Sequence, residues 1–220
     1  MNNQIQPGDS RQRILARIAA SLGRDPAIAA ASAAYAVLPR HYRATAATPP
    51  AQSISRFLDR LHEYNAACVR VASEAGIAAA IAAVLAARSQ SGLAVVSGIP
   101  PAWLPPGFNF PLANPLTAEE LDRQPGILTA CAVAIAETGS FVLQSGPRQG
   151  LRLHTLVPDD HLCIVFESQL VATVPEAFPR LDPNLPTTFI SGPSATADIE
   201  MTRIKGVHGP RSLHVLLVAG

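Results

Sequence analysis

An imidazole set among glycines is the first feature of the chain that invites chemistry. The segment GVHGP at 206–210 places His208 just ahead of a strand-like run at 213–218. Histidine titrates near neutral pH, so His208 suits proton transfer or ligand contact. The ordinary reading of the same segment is a helix end, with Arg203 and Lys205 in a last turn, Gly206 at C′ and Pro210 following. A second segment, ISGPSATADIE at 190–200, reads as a strand, a Gly-Pro turn and a helix start. Free backbone N–H groups at a helix N-terminus make a seat for a phosphate or carboxylate, with Ser191, Gly192, Ser194 and Thr196 around it. Plain capping competes, with Ser194 or Thr196 as N-cap and Asp198 in the first turn, where its charge would repel an anion. The third segment, IAETG at 135–139, brings a strand to Glu137 and then to Gly139. A carboxylate beyond the carboxyl end of a parallel strand can orient a hydroxyl or act as a base, and the alternative is a turn whose glutamate accepts backbone hydrogen bonds. His208, Glu137 and Asp198 are thus the candidate catalytic groups. Gly139, Ser191, Gly192, Ser194 and Thr196 are candidate ligand contacts, joined by Arg152, which a loop at 149–152 presents together with Arg148 to an acidic ligand or subunit.

The rest of the composition narrows the field. Seventeen basic and sixteen acidic side chains give a formal net charge of +1, too even for a field that would draw nucleic acid or an anionic membrane. Lys205 is the one lysine, so no GK[ST] phosphate loop exists, and G-x-G-x-x-G, G-x-S-x-G and H-E-x-x-H are absent as well. Cys68, Cys131 and Cys163 each lie in an apolar run, which reads as buried thiols in a reducing compartment. No C-x-x-C occurs, and His154, His161 and Cys163 lack the spacing of a standard zinc site; 161–166 alternates like an ordinary strand. No iron–sulfur cluster or structural zinc is expected, and redox chemistry would need a partner or an organic cofactor. The first residues show no basic segment followed by an apolar stretch, so a cytoplasmic protein is expected. The most apolar window, 76–87, is well short of the roughly 20 residues that cross a bilayer and reads as a buried helix.

These residues need a scaffold, and 220 residues with 48% hydrophobic and 15% charged side chains can build one with a sizeable core. Ile14, Leu15, Ile18 and Leu22 repeat at helical spacing, predicting an amphipathic helix over 10–22. The Ala-, Thr- and Pro-rich stretch 24–50 reads as an extended arm, which sets 1–50 apart from an α/β domain at 51–220. A helix over 53–64, a strand at 68–71, the alanine-rich helix capped by Ser73 and a strand around 93–96 make a β-α-β unit, the mark of parallel strands. Trp103, among prolines, reads as a packing anchor or a lid residue, and Thr117 with Glu120 is a capping-box signature for a short helix. Strand-like runs follow at 128–135, 140–143, 161–166, 187–190 and 213–218, with short helices around 175–181 and 196–205. The fold class is α/β, a mostly parallel sheet flanked by helices, part of it possible as antiparallel.

Together AETG at 136–139, GPSATADIE at 192–200, GVHGP at 206–210 and the opening RQRILARIAASLG at 11–23 resemble the LUD-domain family. The resemblance implies a fold similar to the group of ribose-5-phosphate isomerase, glucosamine-6-phosphate deaminase and CoA-transferase. It also implies a setting, the oxidation of L-lactate to pyruvate by a three-protein system whose iron–sulfur clusters belong to partner subunits. Two functions follow as expectations: a non-iron–sulfur accessory subunit with an anion-binding pocket, or a stand-alone enzyme acting on a small anionic metabolite such as a sugar phosphate, CoA thioester or folate.

Overall fold

The computed structural model describes residues 7–22, 28–197, 203–205 and 209–220. Chain contacts divide it into two units, 1–42 and 43–220. The first holds helices α1 (Pro7–Leu22) and α2 (Ile28–Ala36). The stretch expected as an extended arm is therefore partly helical, because the run IAAASAAYA is dominated by alanine, the best helix former. After α2 the Arg40 guanidinium lies 4.6 Å from the centre of the Tyr35 ring and donates to the Leu38 and Tyr35 carbonyls.

The second unit runs α3 (Pro50–Glu63), β1 (Ala67–Val71), α4 (Ile77–Ala87), β2 (Ala94–Val95), α5 (Ala118–Asp122), β3 (Ile127–Ala130), β4 (Val133–Ile135) and β5 (Ser140–Gln144). It continues through β6 (Asp160–Phe166), β7 (Leu170–Val171), α6 (Val174–Ala177), β8 (Thr187–Ile190), β9 (Ala195–Ala197), β10 (Arg203–Lys205) and β11 (Ser212–Val218). One sheet, ordered β1-β11-β6-β3-β2, is parallel throughout. The β-α-β unit thus spans the whole sheet, with β1 and β2 on opposite edges. A second sheet, ordered β7-β4-β5-β8, is mixed: β5 runs against both β4 and β8, while β7 is parallel to β4. The apolar run 128–135 is two strands in two sheets, because the chain leaves β3 at Cys131 and enters β4 beside β5.

Side-chain alternation sorts three apolar layers. On one face of the parallel sheet Leu162, Ile164, Leu216 and Val218 meet α4, whose Ile77, Ile81 and Leu85 are buried at helical spacing. On the other face Cys163, Val165, Leu213, Val215 and Leu217 meet Phe57 and Leu61 of α3 together with Ala134, Phe141 and Leu143 of the second sheet. Val133, Ile135 and Val142 face outward from that sheet and are covered by Ala177 of α6. With both faces covered, β6 is buried along nearly its whole length.

Local signals hold with two exceptions. Thr117 and Glu120 form the expected capping box, Glu120 N–H donating to Thr117 Oγ1 at 3.3 Å and Thr117 N–H to Glu120 Oε2 at 2.8 Å. Trp103 is a packing anchor, buried against Phe166 with its indole N–H donating to Glu74 at 2.9 Å. Ser73, by contrast, makes no side-chain cap and leads into a short 3-10 turn before α4. The helix expected over 196–205 is replaced by a hairpin in which β9 pairs antiparallel with β10, Thr196 opposite Ile204. Hydroxyl-rich cap patterns are local, whereas strand pairing draws on a partner eight residues away and satisfies the backbone instead. With that helix go its anion-binding N-terminus and the placement of Gly206 as a helix C′ residue.

The entry to β6 also anchors the fold. Arg88, just past α4, donates to both Asp160 carboxylate oxygens, to Ser212 Oγ at 3.1 Å and to His214 Nε2 at 2.8 Å. Gln90 donates to the same carboxylate. His214 accepts from Arg88 as an uncharged ring, its pKa lowered by burial and by the neighbouring guanidinium, with Asp160 opposing.

Candidate functional site

Asp160 and His161 are successive residues at the head of β6, so they point to opposite faces of the sheet. Asp160 turns towards Arg88 and His161 towards the second sheet. There a cleft of about 240 Å³ opens between the starts of β6 and β11, the end of β8 and the turn at 152–155. It lies at the amino ends of the parallel strands, the reverse of the usual placement in open α/β sheets.

His161 forms part of its wall at 1% exposure. Its Nε2 lies 2.7 Å from Thr129 Oγ1 on β3, the Phe141 ring meets it edge-on at 5.7 Å, and its Nδ1 has no partner among the described residues. Burial lowers its pKa to about 3, so the ring is uncharged at neutral pH.

Arg152 stands at the rim on a turn built to hold it. Gly150 has φ +73°, and a Cβ there would meet Val96 and His154. Buried His154 accepts the Leu151 N–H on Nδ1 at 3.1 Å, and burial lowers its pKa. Arg152 reaches Thr155 Oγ1 at 3.5 Å and has no acidic partner among the described residues.

The Gly-Pro turn after β8 supplies the opposite wall. Ser191 Oγ lies 2.6 Å from Ser140 Oγ at the start of β5, and Ser194 N–H donates to Pro210 O at 2.7 Å. The segments 190–194 and 209–210, far apart in sequence, are thereby joined, and Ser191, Gly192, Ser194, Gly209 and Pro210 all line the cleft. Gly192 has φ +89°, and a Cβ on it would lie 2.6 Å from Tyr64 Cβ, so its lack of a side chain serves the packing of the turn against α3.

Other expected residues fall elsewhere. Glu137 follows β4 in the second sheet, accepts from Arg43 at 2.8 Å and does not line the cleft. Gly139, with φ +61°, lies against Arg60 of α3. Thr196 is the middle residue of β9. Asp198 and His208 lie outside the described residues. His161 and Thr155 escaped the sequence reading; the available signal was an ionisable residue at an inward position of an otherwise apolar buried strand.

A second cleft, about 480 Å³, lies at the opposite end of the parallel sheet and is lined by Glu167, Glu176 and Arg180 among others. Its charges are engaged in holding the structure. Glu167 accepts from Arg70 at 2.6 Å, Arg180 donates to Ser168 O at 3.2 Å, and Glu176 accepts three backbone N–H groups, from Ala46, Ala172 and Thr173. Burial alone would raise the Glu176 pKa, and those hydrogen bonds outweigh it and lower the value. The cleft at His161 is therefore the better candidate, since among the described residues it combines an unpartnered buried nitrogen with a guanidinium that has no acidic partner.

The family model of the LUD domain matches residues 112–218, which take in every residue named here on the wall of that cleft. Lactate utilization protein C of Deinococcus radiodurans is 42% identical over 173 residues, covering 76% of this chain and 80% of that protein. The chain belongs to the LUD-domain family. Lactate utilization protein C of an Exiguobacterium species is 35% identical over 116 residues, 48% of this chain and 50% of its own length. A crystal structure of a DUF162 family protein from Deinococcus radiodurans superposes on the LUD-domain chain with a TM-score of 0.65 at 36% identity, over 79% of this chain and 99% of that one. The α/β architecture is shared with that solved structure.

Proposed function

We propose that this LUD-domain chain is a component of a system that oxidises L-lactate to pyruvate, serving as a non-iron–sulfur accessory subunit that holds a small anion in the cleft at His161. The kinship with a lactate utilization protein C over most of both chains carries this reading. Iron–sulfur redox subunits are the partners it implies. The thiols are in keeping with that division of labour: burial pushes the Cys68 pKa up to about 11, and Cys131, buried, donates from Sγ to Gln169 Oε1 at 3.4 Å and has its pKa raised well above the ordinary thiol range, so in the free chain both are protonated. Elemental analysis of the purified chain is expected to find well under one atom of iron or zinc per molecule; a stoichiometric amount of either refutes that division.

The role is tested in a strain lacking the chromosomal copy. A plasmid-borne wild-type chain is expected to restore growth on L-lactate, whereas Arg152→Gln and His208→Ala, both checked for folding, are expected not to. His208 belongs in the test as the imidazole of the GVHGP motif at 206–210. Co-purification from lactate-grown cells is expected to bring down iron–sulfur proteins; growth without the chain, together with no such partners, rejects the reading. The alternative, an enzyme in its own right, draws on His161 and Arg152, which line the same cleft. A cleft of about 240 Å³ is below the roughly 300–1,000 Å³ that enclose drug-sized ligands, which favours a small metabolite over a whole CoA thioester or folate.

A further inference from the structure

We propose that the cleft seats a small monocarboxylate whose oxygens are shared between the Arg152 guanidinium and the Nδ1–H of His161. The proposal rests on the anion-binding reading above and names the class of ligand.

Hydrogen-bond accounting assigns the ring proton. Thr129 is fully buried, and its hydroxyl has His161 Nε2, at 2.7 Å, as its hydrogen-bond partner. A buried hydroxyl proton needs an acceptor, and an uncharged imidazole offers one on a single nitrogen. Thr129 therefore donates to Nε2, and the ring carries its own proton on Nδ1. That proton is the orphan: Nδ1 is buried without a partner among the described residues, on a ring that forms part of the cleft wall. Buried donors are seldom left unmatched, and those that are mark places where a ligand or water completes the set.

What completes this set is an oxygen acceptor, and the surrounding charge selects its class. No Asp or Glu is found on the described wall, and Arg152 is its one cation. One guanidinium and neutral donors balance a monoanion, and carboxylate geometry matches a guanidinium well. A phosphate dianion would keep excess charge against the apolar Ile190 and Leu213 on the same wall. Those two side chains suit the short carbon chain of a small organic acid.

The test uses the full chain with ¹⁵N-labelled histidine at pH 7, the His161 signals being assigned by their loss in His161→Gln. The free protein is expected to show His161 protonated on Nδ1 and bare on Nε2. Titration with propionate, L-lactate and pyruvate in turn is expected to shift the Nδ1–H resonance saturably, with inorganic phosphate far weaker. Arg152→Gln, confirmed folded by its spectrum, is expected to weaken carboxylate binding about tenfold or more, the scale of one charge-assisted hydrogen bond. A ring protonated on Nε2, an Nδ1 signal indifferent to every carboxylate, or stronger binding of phosphate each overturns the proposal. If Arg152→Gln abolishes growth on lactate while no carboxylate binds, the lactate role stands and the ligand assignment falls. If carboxylates bind and growth is unaffected by loss of the chain, the assignment stands and the lactate role falls.

Discussion

Acidification from pH 7 to pH 4.5 is expected to remove about 2–3 kcal/mol of stability through His161 alone, on the order of 1 kcal/mol per pH unit below the unfolded value. The native ring has a pKa of about 3 against an ordinary value of 6.5, because burial disfavours its charged form. Below pH 6.5 the unfolded chain takes up a proton that the native ring refuses. Stability is therefore full above that pH and is lost progressively towards pH 3. His154 and His214, both lowered by burial, act in the same direction. Urea unfolding of the wild type and His161→Gln between pH 7 and pH 4.5 measures the effect, and the variant is expected to lose correspondingly less. Equal losses would refute it. Should His161→Gln fail to fold, ring titration by NMR decides, since the wild-type His161 must stay uncharged down to pH 5.

Asp160→Ala is expected to destabilise the chain by about 3 kcal/mol, the lower end of the roughly 3–5 kcal/mol lost when one partner of a buried ion pair is removed. The lower end applies because the Arg88 side chain keeps 30% exposure while Asp160 keeps 12%. The loss comes mainly from the half-buried guanidinium, left among the described residues with Ser212 and His214 to accept from it, and Gln90 also loses its acceptor. For a chain of this size the midpoint of thermal unfolding should fall by about 6–12 °C. Arg88→Met is expected to cost a similar amount. Combining the two should cost much less than their sum, because the double variant leaves no uncompensated charge. Strict additivity would show that the pair is not coupled. Neither change touches the wall of the cleft, so carboxylate binding by the folded fraction should survive both.

These two predictions concern neighbours, Asp160 and His161, and their separation into an anchor and a cleft residue shows what sequence can and cannot say. Alternation along 161–166 made β6 recognisable; the structure starts the strand one residue earlier, at Asp160, and period two then sends the two residues to opposite faces. What each would meet depended on strands remote in sequence: β11 and Arg88 for Asp160, β3 and Thr129 for His161. His161 was accordingly taken for an ordinary strand residue.

Glu137 failed in the opposite way. Its motif marked a real strand end, but the strand belongs to the second sheet and its carboxylate to Arg43, 94 residues away. Gly139 and Gly192 were read towards a ligand, whereas both let loops pack against α3, at Arg60 and Tyr64.

By itself the sequence determined the α/β class, the amphipathic α3, the apolar α4, the capping box at Thr117 and most strand positions, since each follows from local periodicity or from hydrogen bonds within a few residues. It also carried the motifs that mark the family and named Arg152, Ser191 and Ser194, which line the cleft. Tertiary structure alone decided the division into two sheets, the β9–β10 hairpin in place of a helix, and the meeting of Arg152, Ser191 and Ser194 with His161. Those outcomes rest on pairing and burial between segments from eight residues apart in the hairpin to tens of residues apart elsewhere, where the partner's identity, and not the local propensity, settles which backbone and side-chain groups are satisfied.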